Sequence, residues 1–304
     1  MPGRVLVTGA AGFLGRHLCS YLQTTNPGLH LAGTDAMAGA AGPCREFHVV
    51  DLTDAEAVAR LVHEVSPDCV IHLAGTFGTG QPLDIYRVNV LSIVALLEAV
   101  RRHVPRATVV ATGSAAEYGR VPPECLPVTE TCACVPVTPY GQSKLAATQI
   151  ALLYHRMHSL AVVVVRPFQL LGPGVTTRLA PGAFAEQLRQ ALAEGRRVIQ
   201  VGNLESQRDF LDVHDAAAGV WALCRRPAPG EVFNLCSGRP TRMADLLQTM
   251  IRASGADVQI EVDASRLRGA ADVAAVYGSF EKLRQHCGWQ PRRSLEESVR
   301  DMVV

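Results

Sequence analysis

The apolar run Val5-Leu6-Val7 leads straight into VTGAAGFLG, which spaces Gly9, Gly12 and Gly15 across the entry to an amphipathic segment. That order predicts a strand, a tight turn and a helix in immediate succession. The first glycine permits the turn, the second lets an anionic ligand approach the backbone, and the third lets the helix lie close on the strand. A helix begun this way offers free N–H groups and the positive end of its dipole to phosphate.

The next strand, LAGTD, ends at Asp35, where a carboxylate binds the hydroxyls of an adenosine ribose. A dinucleotide site follows, with NAD(H) preferred because the carboxylate repels the 2′-phosphate of NADP(H). Arg16 and Arg45 are placed to offset that repulsion, which leaves NADP(H) open. A plain strand-end aspartate is the alternative reading. Within the same expected site, Phe13 and Leu14 belong to the glycine turn, Asp51 and Leu52 end the run FHVVDL near the adenine, and Leu73, Ala74 and Gly75 of HLAG flank the cofactor.

Short apolar runs alternate with helical patterns through the first two thirds of the chain. Val5–Val7, Leu29–Ala32, Cys69–Ile71, Thr108–Ala111 and Val162–Val165 read as strands buried on both faces. Leu14, Leu18, Tyr21 and Leu22 share one helical face, as do Val88, Leu91 and Ala95. Such alternation predicts an α/β fold: a Rossmann-type doubly wound parallel sheet whose ligands lie outside the carboxyl ends of its strands. After Arg166 the pattern breaks. Gly172-Pro173-Gly174 and Pro181-Gly182 punctuate a loop, Phe184–Glu194 reads as a helix, Arg197–Val201 and Glu231–Leu235 as strands, and Met243–Ser254 as a helix. The expected division is a dinucleotide domain over 1–165, completed by about 211–235, with a smaller mixed substrate domain from 166–210 and 236–304.

Lys and Arg together number 29 against 28 Asp and Glu, so no concentrated basic face points to nucleic acid or an acidic membrane. The nine cysteines are scattered without metal-site spacing, which reads as reduced thiols in a cytoplasmic protein with no metal. The N-terminus is too short and glycine-rich for a signal-peptide core, and no apolar run is long enough to span a bilayer.

Tyr140 and Lys144 occur in PYGQSK, four residues apart and therefore on one face of a helix. A nearby ammonium favours tyrosinate, drawing the phenol toward the working pH range, and the lysine also reaches the nicotinamide ribose. Ser114, in ATGSAAEYG beyond a strand, donates a hydrogen bond to a carbonyl oxygen. A lone Tyr-x-x-x-Lys pair arises by chance; together with VTGAAGFLG and the Ser114 segment it points to chemistry.

VTGAAGFLG, HLAG, RVNV, GSAAEYG, PYGQSK and RPF together resemble the extended short-chain dehydrogenase/reductases, over nearly the whole chain. The resemblance implies a Ser114–Tyr140–Lys144 catalytic triad, an Asn89 that orders the helix end behind it, Pro167 beside the cofactor, and a nucleotide-sugar substrate. The C-terminal segments VGNLESQRDFLDVHDAAAGVWAL and EVFNLCSGRPTRMADLL resemble those of the members that reduce GDP-4-keto-6-deoxy-mannose to GDP-D-rhamnose. The GNL…RD piece is shared with GDP-mannose 4,6-dehydratases, so it speaks to the nucleotide sugar more than to the reaction. Arg208 presents a fork of donors suited to a diphosphate, with Asp209 placed to orient it; a structural ion pair is the alternative.

The dehydratases carry a glutamate two residues after the serine or threonine. Here that position is Ala116, and Glu117 comes one later, which in an extended segment faces away from the sugar. That difference favours a reductase. Two departures concern the substrate: Gln169 replaces the usual asparagine after RPF, and RLRGAAD lacks a proline near Arg268, the second expected phosphate ligand. The rivals are an epimerase or dehydratase that keeps NAD bound and, more remotely, a non-catalytic cofactor-sensing subunit. The family also implies a homodimer. His214 and Asp215 are expected to cap or anchor a helix starting near Ala216.

Overall fold

Val5, Leu6 and Val7 are fully buried because both faces of their strand are covered. Val5 and Val7 pack with Leu18 and Val220 in one core, while Leu6 packs with Val62 and Leu96 in another. Each apolar side chain so withdrawn from water contributes about 1.5–3 kcal/mol. The computed structural model describes residues 2–37, 44–78, 81–267 and 273–303.

Among the described residues the strands are β1 (Arg4–Thr8), β2 (His30–Asp35), β3 (Glu46–Val49), β4 (Cys69–His72), β5 (Thr108–Thr112), β6 (Ala161–Pro167), β7 (Gln169–Leu171), β8 (Val198–Val201), β9 (Gln207–Asp212), β10 (Val232–Leu235), β11 (Pro240–Arg242), β12 (Gln259–Val262) and β13 (Ala275–Val276). Seven form one sheet in the order β10-β6-β5-β4-β1-β2-β3, every pair parallel. The helices Phe13–Thr25 and Val213–Arg225 pack together on one face. Ala55–Val65, Ser92–His103 and Pro139–His158 cover the other. This is the expected doubly wound α/β architecture, and the strand order reverses beside β1, where β4 lies on one side and β2 on the other.

The remaining strands form smaller sheets: β11-β9-β13 with β7 joined to β9, and β12 paired with β8. Here the sequence reading was incomplete. Gln207–Asp212 is a strand, and Pro181-Gly182 lies inside a helix, Ala180–Glu194, which starts four residues before the expected Phe184. Pro181 fits there because its missing N–H falls in the first turn, where helical donors have no partner anyway. Leu283 and Trp289, from the C-terminal stretch, pack into the core of the large sheet.

The face proposed for Val88, Leu91 and Ala95 does not form. Arg87–Leu91 is a π-turn, whose wider winding shifts the phase. Leu91 is 53% exposed, whereas Asn89 turns inward and is buried. The helix at the end of β9 starts at Val213, three residues before Ala216, and its N-cap is Asp212, which accepts from the His214 amide at 2.7 Å. Asp215 accepts from the Arg292 and Arg293 amides, both at 2.8 Å, and so anchors the C-terminal segment. Among the described residues no helix is long and apolar enough to cross a membrane.

Candidate active site

The glycine turn follows β1. Gly9 has φ +67°, in the left-handed region, and a Cβ on Gly15 would stand 2.1 Å from the Gly9 carbonyl oxygen. The helix begins immediately after Gly12, Phe13 and Leu14 open it, and no side chain caps its first turn. Asp35, ending β2, accepts from the Ala11 amide at 3.2 Å, which ties the carboxylate to the turn. A bare turn with a carboxylate at its side fits a dinucleotide pyrophosphate and ribose.

The two cations expected near Asp35 separate. Arg16 bonds the Ala11 carbonyl at 3.3 Å, beside the turn. Arg45 points the other way: its amide bonds Leu31 at the start of β2, and its guanidinium bonds the Pro27 carbonyl at 2.6 Å. Arg45 is therefore removed from the expected set. Asp51 lies beyond β3, one oxygen accepting from both the amide and hydroxyl of Thr53, and the Leu52 side chain is buried. Leu73, Ala74 and Gly75 follow β4, and the Pro167 ring ends β6, so all these residues collect at the carboxyl edge of the sheet.

Tyr140 and Lys144 sit in the first two turns of Pro139–His158. Thr138 caps that helix, its hydroxyl accepting from Gly141 at 3.0 Å. A Cβ on Gly141 would come within 2.4 Å of the Ala116 carbonyl oxygen, so glycine lets the helix press directly on the Ser114 segment. The Ser114 hydroxyl stands close enough to the Tyr140 phenol to favour its ionised form. Lys144 is buried, its ammonium lying 3.8 Å from where a Cβ on Gly75 would stand. Phe77 meets the Tyr140 ring edge-on, with centroids 6.4 Å apart.

Asn89 lies behind this group rather than in it. Its amide nitrogen donates to the Thr76 carbonyl at 2.8 Å and the Ser143 hydroxyl at 2.9 Å, while its oxygen accepts from the Thr76 amide at 2.8 Å. Ser143 in turn donates to the Tyr140 carbonyl at 2.7 Å. Asn89 thus joins the segment after β4 to the Tyr140 helix.

Burial pushes the Tyr140 phenol above its ordinary range; the Ser114 hydroxyl opposes this and the Glu117 carboxylate adds to it. The sequence pointed to Lys144 as the tuning group; the structure adds Ser114, whose hydroxyl favours the tyrosinate. Burial draws Lys144 itself down to about 8, with Glu117 opposing. His72, the first residue of the HLAG stretch expected to flank the cofactor, is buried near Lys144 and bonds Thr8 at 2.8 Å; burial lowers it to about 3, so it is neutral.

Glu117 faces away from the cleft as expected, for a different reason. The segment Ala115–Glu117 is a 3-10 turn capped by Ser114, not an extended strand. The turn carries Glu117 into the core, where it is 0% exposed.

Gln169 and Arg208 line one cleft of about 380 Å³, together with Arg178, Asn203, Ser206 and Arg266. Arg178 bonds the Gly78 carbonyl at 2.9 Å, and Arg266 bonds that of Gln200 at 2.9 Å. Among the described lining residues there are three guanidiniums and no carboxylate, which suits a polyanion. Neither Arg178 nor Arg266 was expected in the sequence to line the site: Arg178 stands alone in an irregular stretch, and in RLRGAAD the expectation fell on Arg268 instead of Arg266. Arg268 lies outside the described residues.

Asp209 does not orient Arg208. The two are successive residues of β9 and point to opposite faces. Asp209 is buried and accepts from the amides of Ser237 at 2.6 Å, Gly238 at 2.9 Å and Gly278 at 3.2 Å. It fastens the small sheet from within.

A sheet whose crevice opens beside a glycine turn, with serine, tyrosine and lysine gathered at the same edge, defines a dinucleotide-dependent enzyme. Comparison with known proteins agrees. The NAD dependent epimerase/dehydratase family matches residues 5–236. GDP-6-deoxy-D-mannose reductase from Pseudomonas aeruginosa is 30% identical over 310 residues, covering 100% of this chain and 97% of that protein. UDP-glucose 4-epimerase 2 from Arabidopsis thaliana is 30% identical over 344 residues, covering 99% and 94%. The structure of RMD from Pseudomonas aeruginosa complexed with NADPH superposes with a TM-score of 0.85 at 28% identity, covering 99% and 98%. The chain belongs to the NAD dependent epimerase/dehydratase family.

Proposed function

We propose that this enzyme reduces the C4 ketone of a GDP-4-keto-6-deoxy-hexose, giving GDP-D-rhamnose or a related sugar. The observation that carries this reading is the pairing of Ser114, Tyr140 and Lys144 with a Glu117 withdrawn into the core. Ketone reduction needs one proton donor, whereas dehydration needs a second acid/base at the sugar carbons, where this chain has Ala116. Tyr140, kept protonated by burial, gives its proton to the developing alkoxide. Ser114 donates to the same oxygen, and Lys144 holds the cofactor ribose. When bound, the dinucleotide supplies hydride to the carbonyl carbon. The substrate diphosphate lies against Arg208 and Gln169, with Arg268 a further ligand. NADH is preferred over NADPH, because Asp35 ends β2 and Arg45 is turned away.

The residue division into a dinucleotide part and a nucleotide-sugar part, and a cytoplasmic location, belong to the same proposal. So does a homodimer: the helices Ser92–His103 and Pro139–His158, with the turn before them, leave Leu91, Leu153 and Met157 exposed at 53%, 41% and 64%. The resemblance to a UDP-glucose 4-epimerase supports a second reading, a 4-epimerase that returns hydride to its sugar. Mixing the enzyme with GDP-4-keto-6-deoxy-mannose and either NADH or NADPH separates the two. Stoichiometric cofactor oxidation, faster with NADH, is expected; turnover of UDP- or dTDP-sugars alone, with no net oxidation, would refute the reductase.

Two further outcomes follow from the site. Arg208→Ala is expected to raise KM for the nucleotide sugar about 10–100-fold with kcat changed far less, since a diphosphate contact is made equally before and during reaction. A fall in kcat at constant KM would contradict that role. The reduction's kcat/KM should hold steady below neutrality and fall above pH about 8, as the Lys144 ammonium is lost. The expected loss is about tenfold by pH 9. A plateau reaching pH 10 would show that the ammonium is not required.

A further inference from the structure

Glu117 is the most deeply buried acid near the site, and its bonds run to three separate elements. One carboxylate oxygen accepts from the Ser114 amide at 2.8 Å and from the Thr148 hydroxyl at 2.9 Å. The other accepts from Arg166 Nε at 2.8 Å. Thr148 lies four residues beyond Lys144 and eight beyond Tyr140, on the same face of their helix. Arg166 belongs to β6, immediately before Pro167, and continues the network: it bonds the Tyr118 hydroxyl at 3.1 Å, and Tyr118 donates to Asn234 of β10 at 2.7 Å.

We propose that Glu117 is a positioning residue: one buried carboxylate that clamps the Ser114 turn, the Tyr140–Lys144 helix and the end of β6 at fixed separations. This rests on the proposed reaction, in which Ser114 and Tyr140 must meet the same carbonyl oxygen. The displacement by one residue from the dehydratase glutamate thus gives the side chain another task. At Glu117 the carboxylate lies in the core and sets the cleft's geometry from below. Its charge is also felt there. Facing it are Arg166 and Tyr118 from behind, with Tyr140 and Lys144 in front and Cys134 on the covering loop. The carboxylate raises both Tyr140 and Lys144. Removing the negative charge therefore makes tyrosinate easier to form, and the unpaired Arg166 acts in the same direction.

The test uses two conservative variants, because Glu117→Ala would strand the Arg166 charge in the core and risk unfolding. Glu117→Gln keeps the shape and loses the charge; Thr148→Val keeps the shape and loses one tether. The first readout needs no substrate: tyrosinate absorbance against pH, taken as the difference between each protein and its Tyr140→Phe counterpart. Glu117→Gln is expected to shift the Tyr140 midpoint to lower pH by about half a unit or more. The second readout is kinetic: both variants should lose kcat at least about tenfold, with KM for the ketone within about twofold. An unmoved Tyr140 midpoint together with unchanged kcat overturns the proposal, leaving Glu117 a structural acid. If the wild-type enzyme does not reduce the ketone, the proposed reaction fails, and the Tyr140 titration still decides the role of Glu117.

Discussion

Tyr140→Phe is expected to lower turnover about 10²–10⁴-fold, the usual contribution of a positioned proton donor, while dinucleotide affinity stays within about threefold. Phenylalanine keeps the ring and its edge contact with Phe77, and removes only the hydroxyl on which Ser114 acts. Steady-state kinetics together with cofactor binding by fluorescence titration check both halves. Retained turnover would mean that the proton comes from elsewhere. It would also return the non-catalytic reading to consideration, since a cofactor-sensing protein needs the turn but not the phenol.

The second large effect falls on the turn. Gly15→Ala places a Cβ 2.1 Å from the Gly9 carbonyl oxygen and 2.8 Å from Ala10 Cα, both backbone atoms that no rotamer change can move. Either the helix retreats from β1 or the turn opens, and both displace the amides that face the pyrophosphate. The expected result is a loss of dinucleotide affinity of at least about 100-fold, with the thermal midpoint also lowered. Isothermal titration with NADH measures it directly. Undiminished binding would show that the turn does not form the pyrophosphate site.

The large sheet was legible because of where it lies. Strands covered on both faces must be apolar throughout, so Val5–Val7 and Val162–Val165 announce themselves without any alternation. The glycine turn, Ser114, Tyr140 and Lys144 were legible too, since each is fixed by spacing along a short stretch. The small sheets were not. Strands such as Pro240–Arg242 and Ala275–Val276 are two or three residues long, too short to show a period. In Gln207–Asp212, a buried aspartate hides the pattern, because its partners lie 28, 29 and 69 residues away. The π-turn at Arg87–Leu91 likewise defeated a reading that assumed ordinary helical phase.

Glu117 illustrates a conclusion reached by a wrong route. Alternation along an extended segment implied that it faced away from the sugar, and a capped 3-10 turn is what turns it inward. What the sequence could not reveal is that Thr148 and Arg166, 31 and 49 residues distant, converge on the same carboxylate.

Reduction of a GDP-linked 4-ketone is tested most directly by following the hydride. Purified enzyme is incubated with GDP-4-keto-6-deoxy-mannose and NADH deuterated at the transferring position, and the product is examined by NMR. The expected result is a GDP-6-deoxy-hexose with deuterium at C4, one equivalent formed for each cofactor oxidised. A product without the label, or hexose interconversion with no net cofactor oxidation, would contradict the assignment.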